Sequence, residues 1–443
     1  MTLHFAHKMK GPLHYLSSSY REHLERLLKP YQFIRLQDGF NPSITPIPFY
    51  VDHYLVSVRV LGYPAAFFGE KIVPGNYSNR YTKIDEKIGV NFFWNNWLEN
   101  LIDNTILFVL AIQDKKFVFD TSVQPLVINR KVIVRSCLMF YNDIRLCTLN
   151  NSIFMYDGLI SEVYSVTIKN VNGKGIILYN NVDQYYQDYM TSSVLAKKND
   201  VTKLYMAKIQ AEFKTYDKNW ALVGTVGFHA EKGLVYTEAD TQKICFLFLC
   251  WFEGKYLTTV LISLDKSIAM KHELILMEQD VVCGLGTDYL PMFSFGSPCL
   301  MLEGDKYIGV GHTKIMKTKE YSSPKLMKFI ELINKMSADY PNHINHASYI
   351  YCTYFYMFDL KAKVFTMSDS FLYVDRTREY SFSINFPMSI INDPFNNKGY
   401  LVTMGYGDYY SCYIQLTREE LMSTLVHNIQ SFNKESYAYI LKA

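Results

Sequence analysis

The sequence predicts an all-β chain, and three observations carry that reading. Runs of β-branched and aromatic residues of strand length recur along most of its 443 residues, turn residues separate them, and no strand–helix alternation of the doubly wound type accompanies them. Polar clusters also sit at the ends of these runs. They are Tyr141-Asn142-Asp143-Ile144-Arg145-Leu146, then Gly296-Ser297-Pro298 ahead of Tyr307-Ile308-Gly309-Val310-Gly311-His312, then Gly405-Tyr406-Gly407-Asp408 after Tyr400-Leu401-Val402. Polar groups brought repeatedly to strand ends are what a β-propeller needs to build a central site.

The elements follow in order. Tyr20, Leu24, Leu27 and Leu28 fall at helical spacing and Pro30 ends the pattern, so a short helix opens the chain as an accessory cover. Strands are expected at Tyr54–Val60, Ile106–Leu110, Lys131–Val134, Ser152–Tyr156, Ile244–Leu249, Tyr307–Val310 and Tyr351–Tyr356. Asp157-Gly158, Asn172-Gly173 and Glu253-Gly254 are expected to turn hairpins between them. A helical insertion is expected near 324–337: Pro324 suits a first turn, and Leu326, Phe329, Ile330 and Ile333 make one apolar stripe. Thr417 with Glu420 forms a capping box before Leu421, Met422 and Leu425, so the chain is expected to close with a helix.

Composition narrows the function classes. A net charge of +3, without an arginine-rich arm or a lysine run, argues against nucleic acid. Cys137, Cys147, Cys245, Cys250, Cys283, Cys299, Cys352 and Cys412 lie mostly in apolar runs without CxxC spacing, and read as reduced core thiols. The first residues carry no signal peptide and no 18-residue apolar run occurs, so a soluble cytoplasmic protein without a membrane span is expected. Abundant Asn, Lys, Ile and Tyr suit an AT-rich genome, such as that of a large DNA virus or a protist. His343 and His346 lie in a turn-like stretch without nearby carboxylates, and neither a Gly-x-Ser-x-Gly elbow nor a phosphate-binding Gly-x-x-x-x-Gly-Lys loop is present.

Five clusters in register define a resemblance. They are Asn41-Pro42-Ser43-Ile44 with Arg59, Asn142-Asp143-Ile144-Arg145, Asp217-Lys218-Asn219-Trp220, Gly296-Ser297-Pro298 with His312, and Gly405-Tyr406-Gly407-Asp408. Their order resembles the five-bladed β-propeller family of β-mannoside phosphorylases and hydrolases, together with related β-1,2-mannosyltransferases. The likeness spans roughly residues 33 to 425. It implies a helical extension over 1–32, a five-bladed propeller over 33–425, and a tail over 426–443 packed on it.

The resemblance also implies chemistry. Asp143 takes the place of the general acid, which works through a sugar hydroxyl while inorganic phosphate attacks the anomeric carbon with inversion. A carboxyl held near a strand end is suited to moving a proton to or from a glycosidic oxygen. A phosphate nucleophile removes the need for a second carboxylate base and calls instead for cations. Arg59, Arg145, Lys218 and His312 are the cations on offer, Asn41 joins them as a substrate- or phosphate-binding residue, and Asp408 is a candidate for orienting sugar hydroxyls. No cofactor is implied beyond phosphate, a sugar phosphate or a nucleotide sugar; the partner is a carbohydrate, and self-association is left open. The chain departs from the family pattern at Asn142, where the family has Glu, and at Ile144, where it has Pro. Loss of that acidic neighbour motivates an alternative reading, a catalytically silent propeller that binds glycans or a protein.

Overall fold

A computed structural model describes residues 5–6, 12–28, 33–35, 39–64, 102–131, 143–156, 163–181, 219–229, 233–235, 241–253, 256–263 and 268–276. Further along it describes 292–303, 305–316, 324–338, 349–362, 364–373, 384–407 and 410–442. Among these residues the strands form four hydrogen-bonded sheets of six, five, thirteen and four strands, and three α-helices accompany them.

Strand chemistry accounts for the pairing. In Lys116–Phe119 exposed and buried residues alternate, as expected of a strand with one wet face. Strands such as Gly399–Tyr406 are buried at every position because a sheet covers each side. Asn172 and Gly173 have φ of 52° and 80°, the left-handed pair that a two-residue hairpin requires, and they join Val163–Val171 to Lys174–Asn181. The expected runs at Tyr54, Ile106, Ser152, Ile244, Tyr307 and Tyr351 all lie inside strands. Residues 132–134, Asp157-Gly158 and Gly254 lie outside the described residues.

The sheets are arranged around a closed circuit of contacts. Leu146 N donates to Ser43 Oγ at 2.9 Å, joining the first sheet to the second, and Leu222 N donates to Tyr156 Oη at 3.1 Å, joining the second to the third. Within the third, Cys299 N donates to the Leu222 carbonyl at 2.8 Å. Gly296 then lies against Pro387 of the fourth sheet, and Ile44 N donates to Ser389 Oγ at 3.1 Å, returning to the first. The arrangement is therefore propeller-like.

Apolar wedges fill the spaces between sheets. Leu55, Leu107 and Val109 of the first sheet pack with Leu146, Met155 and Ile177 of the second. Phe154 meets Phe246 and Tyr156 meets Phe248 edge-on, with ring centres 5.6 and 5.8 Å apart. Ile308, Val310 and Phe355 of the third sheet join Ile390, Val402 and Met404 of the fourth, and Ile391 and Leu401 join Ile44 and Val56 of the first. Each such side chain contributes about 1.5–3 kcal/mol on full burial, so the wedges hold the ring together.

Two expectations are corrected. Five separate sheets are not formed by the described strands, because Trp251 pairs with Ser294 and the strand Leu425–Lys442 pairs with both Ile268–Leu276 and Val364–Ser368. Those pairings fuse two four-stranded meanders into the thirteen-stranded sheet. The chain also does not close with a helix: α3, Arg418–Thr424, carries the expected Thr417–Glu420 capping box and is followed by that long strand. The other helices match expectation. In α1, Arg21–Leu28, the side chains of Leu24 and Leu28 are buried against the first sheet, and α2, Pro324–Ala338, buries Leu326, Phe329, Ile330 and Ile333.

Candidate active site

Three inner strands start alike. Asn41, Asp143 and Asn219 stand at or just before the beginnings of Phe40–Pro46, Arg145–Leu149 and Ala221–His229, with φ of 50°, 62° and 92°. Asn and Asp are among the few non-glycine residues that accept the left-handed region, because their short polar side chains bond locally. Each polar residue thus stands at the N-terminal end of its strand. All three residues are buried.

Asp143 is the centre of the group. Asn41 Nδ2 donates to Asp143 Oδ1 at 2.9 Å, and Arg59 Nη1 lies 3.5 Å from the same oxygen. Arg59 reaches it from the strand His53–Pro64, where it pairs with Phe40 and sets its guanidinium 5.5 Å from the Phe40 ring centre. A bulge between Phe40 and Ser43 releases Asn41 from the ladder and aims it inward. A buried carboxylate needs such partners, since desolvation of an unpaired charge costs several kcal/mol. Among the described residues the hydrogen bond and the ion pair of the Asp143 carboxylate both fall on Oδ1.

Arg145 is fully buried, and its guanidinium is directed at protein acceptors. Nε donates to the Gly296 carbonyl, Nη1 to the Asp143 carbonyl at 3.2 Å, and Nη2 to Asn219 Oδ1 at 2.8 Å. Gly296 is held in turn: its N–H and that of Ser297 donate to the Val310 carbonyl, and Val310 N donates back to Ser297 Oγ at 3.0 Å. A side chain at Gly296 has no room, because a Cβ would lie 2.8 Å from the Pro387 carbonyl oxygen and 2.9 Å from that of Val310.

His312 stands on the neighbouring wall. It is buried, with its ring centre 4.7 Å from that of Phe386 and 5.4 Å from that of Tyr351, and Lys314 Nζ lies 5.9 Å from the Tyr351 ring centre. Phe386 is the strand partner of Gly405, and Gly405 abuts Asn41. His312 thus connects to the Asp143 group through Phe386 and Gly405.

The fold brings Asn41, Arg59, Asp143 and Arg145 together and sets His312 on the adjoining wall; Lys218 and Asp408 lie outside the described residues. Sequence reasoning passed over Asn219 in favour of its neighbour Lys218. The available signal was the shared pattern of an Asn or Asp followed by a buried strand, as at Asn41 and Asp143. A surface cleft of 650 Å³, lined by Asn392, Asn396, Lys398, Tyr400 and Arg418, opens at the Gly399 end of the Gly399–Tyr406 strand, away from Gly405 and Asp143. The carboxylate among its described lining residues, Glu419, is exposed, unlike the buried Asp143.

No protein-family model and no curated protein matches this chain. Among solved structures it is similar to the β-1,2-mannobiose phosphorylase from Listeria innocua, at 11% identity and a TM-score of 0.43, covering 89% of this chain and 93% of that one. It is also similar to a mannose phosphorylase from Leishmania mexicana, at 9% identity and a TM-score of 0.36, over 92% and 97% of the two chains. A GDP-Man-dependent mannosyltransferase from the same organism gives 10% identity and a TM-score of 0.35, over 93% and 98%. With TM-scores below 0.5, these similarities make no statement about what this chain binds or does.

Proposed function

We propose that this protein is a carbohydrate-active enzyme that transfers a mannose-like glycosyl unit, as a glycosyltransferase or an inverting glycoside phosphorylase, with Asp143 as general acid or base. The observation that carries the reading is the buried Asp143 carboxylate, tied through Oδ1 to Asn41 and Arg59 where two sheets meet. An oriented carboxyl anchored through one oxygen is the arrangement that proton transfer to a glycosidic oxygen or a sugar hydroxyl requires. The domain reading follows: the propeller over 33–425, with the residues before it as an extension and those after 425 as a closing strand.

In this scheme His312, Arg59 and Lys218 supply positive charge for a phosphate or sugar-phosphate oxyanion, and Asn41 and Asp408 orient hydroxyls. In phosphorolysis the glycosidic C1–O bond breaks as Asp143 protonates the leaving oxygen and phosphate forms the new bond to C1; in the reverse direction the acceptor hydroxyl loses its proton to Asp143 and bonds to C1 as phosphate leaves. Incubation with mannose 1-phosphate and short β-mannoside acceptors, with phosphate release as the readout, tests the reading. Asp143→Asn is expected to lower turnover by about 10²–10⁴-fold. Equal release by wild type and mutant would remove Asp143 from the mechanism. A melting-temperature rise with a glycan but not with phosphate or a sugar phosphate, and no turnover, would favour the silent binding propeller instead.

A further inference from the structure

We infer that Arg145 and Asn219 form a positioning pair that fixes the catalytic carboxylate, and that Arg145 is not a ligand for the oxyanion. The inference rests on the proposed role of Asp143. Three of the five N–H groups of a guanidinium are accounted for by Gly296 O, Asp143 O and Asn219 Oδ1, and the side chain is buried completely. These acceptors belong to the starts of two strands, Arg145–Leu149 and Ala221–His229, and to the turn after a third, Met292–Phe295, so one planar fork holds three segments in a fixed relation.

The geometry assigns each contact a task. Nη1 holds the main-chain carbonyl of Asp143, a residue that sits in the left-handed region with φ of 62°. Nη2 holds Asn219, whose φ of 92° is the most extreme of the three Asx starts. Nε holds the Gly296 turn, which is itself hydrogen-bonded to Val310, two residues before His312. Arg145 thereby links the carboxylate on one wall to the strand bearing His312 on another. A lysine at 145 keeps the charge but has one nitrogen in place of the fork, so it cannot hold the three acceptors together.

The test uses the full chain with three variants: Arg145→Lys, Asn219→Gly, which tolerates the positive φ but removes the acceptor, and Asn219→Asp, which keeps an acceptor oxygen. The first readout needs no turnover: the side-chain amide resonance of Asn41, which reports its bond to Asp143, in spectra of isotope-labelled protein. Arg145→Lys and Asn219→Gly are expected to move that resonance, and Asn219→Asp to leave it in place. The second is kinetic: the first two variants are expected to lower kcat by about tenfold or more while KM for the sugar phosphate stays within about twofold. An unmoved Asn41 resonance in both disruptive variants, or a raised KM for phosphate with unchanged kcat, would overturn the inference. If Arg145→Lys fails to fold, Asn219→Gly gives the same decision. If wild type turns over no sugar phosphate, the proposed function falls while the amide resonance still decides the positioning role.

Discussion

Gly405→Ala separates the site from the sheet that carries it. Gly405 lies inside the Gly399–Tyr406 strand, paired with Phe386 on one side and Ser411 on the other, so its backbone is fixed by two ladders. A methyl at this position would collide with Asn41 Oδ1 and would lie 3.0 Å from Asn41 Cγ and 3.2 Å from Asn41 N. Asn41 cannot withdraw by a simple rotamer change, since its own backbone nitrogen is within reach and its Nδ2 is engaged with Asp143. Forcing a methylene-sized group into a filled site costs about 1–3 kcal/mol. Losing the donor to a buried carboxylate costs about 1.5–3 kcal/mol more. A total of about 2.5–6 kcal/mol is expected from urea unfolding, together with about 10²-fold lower turnover from a displaced Asp143. Stability within about 0.5 kcal/mol of wild type, with the Asn41–Asp143 bond intact, would refute the reasoning.

Three further outcomes are expected. Gly309→Ala should cost about 1–3 kcal/mol in urea unfolding, because Gly309 faces Tyr356 across the ladder and a Cβ would run into that ring; an unchanged midpoint would show that the ring can move aside. Alkaline pH should destabilise the fold: burial pushes the Cys299 thiol up to about 12 from its ordinary 9.0, with the Tyr356 hydrogen bond opposing, and burial likewise raises Cys147 and Cys352. The unfolded chain then binds fewer protons above about pH 9, so stability falls by about 1.4 kcal/mol per pH unit per thiol as pH rises towards 12, and unfolding at about pH 8 and about pH 10 should show that sign. Thr417→Ala should cost about 0.5–2 kcal/mol, because it removes the oxygen that accepts from Glu420 N at 3.1 Å, and a second substitution at Glu420 should add less than it does in wild type.

Local chemistry was legible in the sequence. Asn172-Gly173 names its own turn, the Leu326–Ile333 stripe names its helix, and Thr417 with Glu420 names a cap, because each signal is contained within a few residues. Asn41 and Asp143 stood out in the sequence as polar residues at the edge of apolar runs, and the structure brings them together with Arg59, which lies within the strand His53–Pro64. Contacts between distant segments were not legible. Nothing local in Leu425–Lys442 says that it bridges two outer strands 149 or more residues upstream in one case, from Leu276 to Leu425, and so fuses two meanders. Asn219 was overshadowed by Lys218 because charge draws attention in a sequence, whereas an amide accepting from a buried guanidinium is visible only in three dimensions. Gly405 reads as a turn residue, yet its lack of a side chain matters because Asn41 occupies the space.

The account depends on sugar binding beside Asp143 at the meeting of the inner strands, and a crystal structure of the Asp143→Asn protein soaked with mannose 1-phosphate tests this most directly. The sugar is expected within hydrogen-bonding distance of residue 143, with its phosphate towards Arg59 and His312. Sugar density confined to the cleft around Asn396 and Arg418, with none beside residue 143 at saturating ligand, would contradict it.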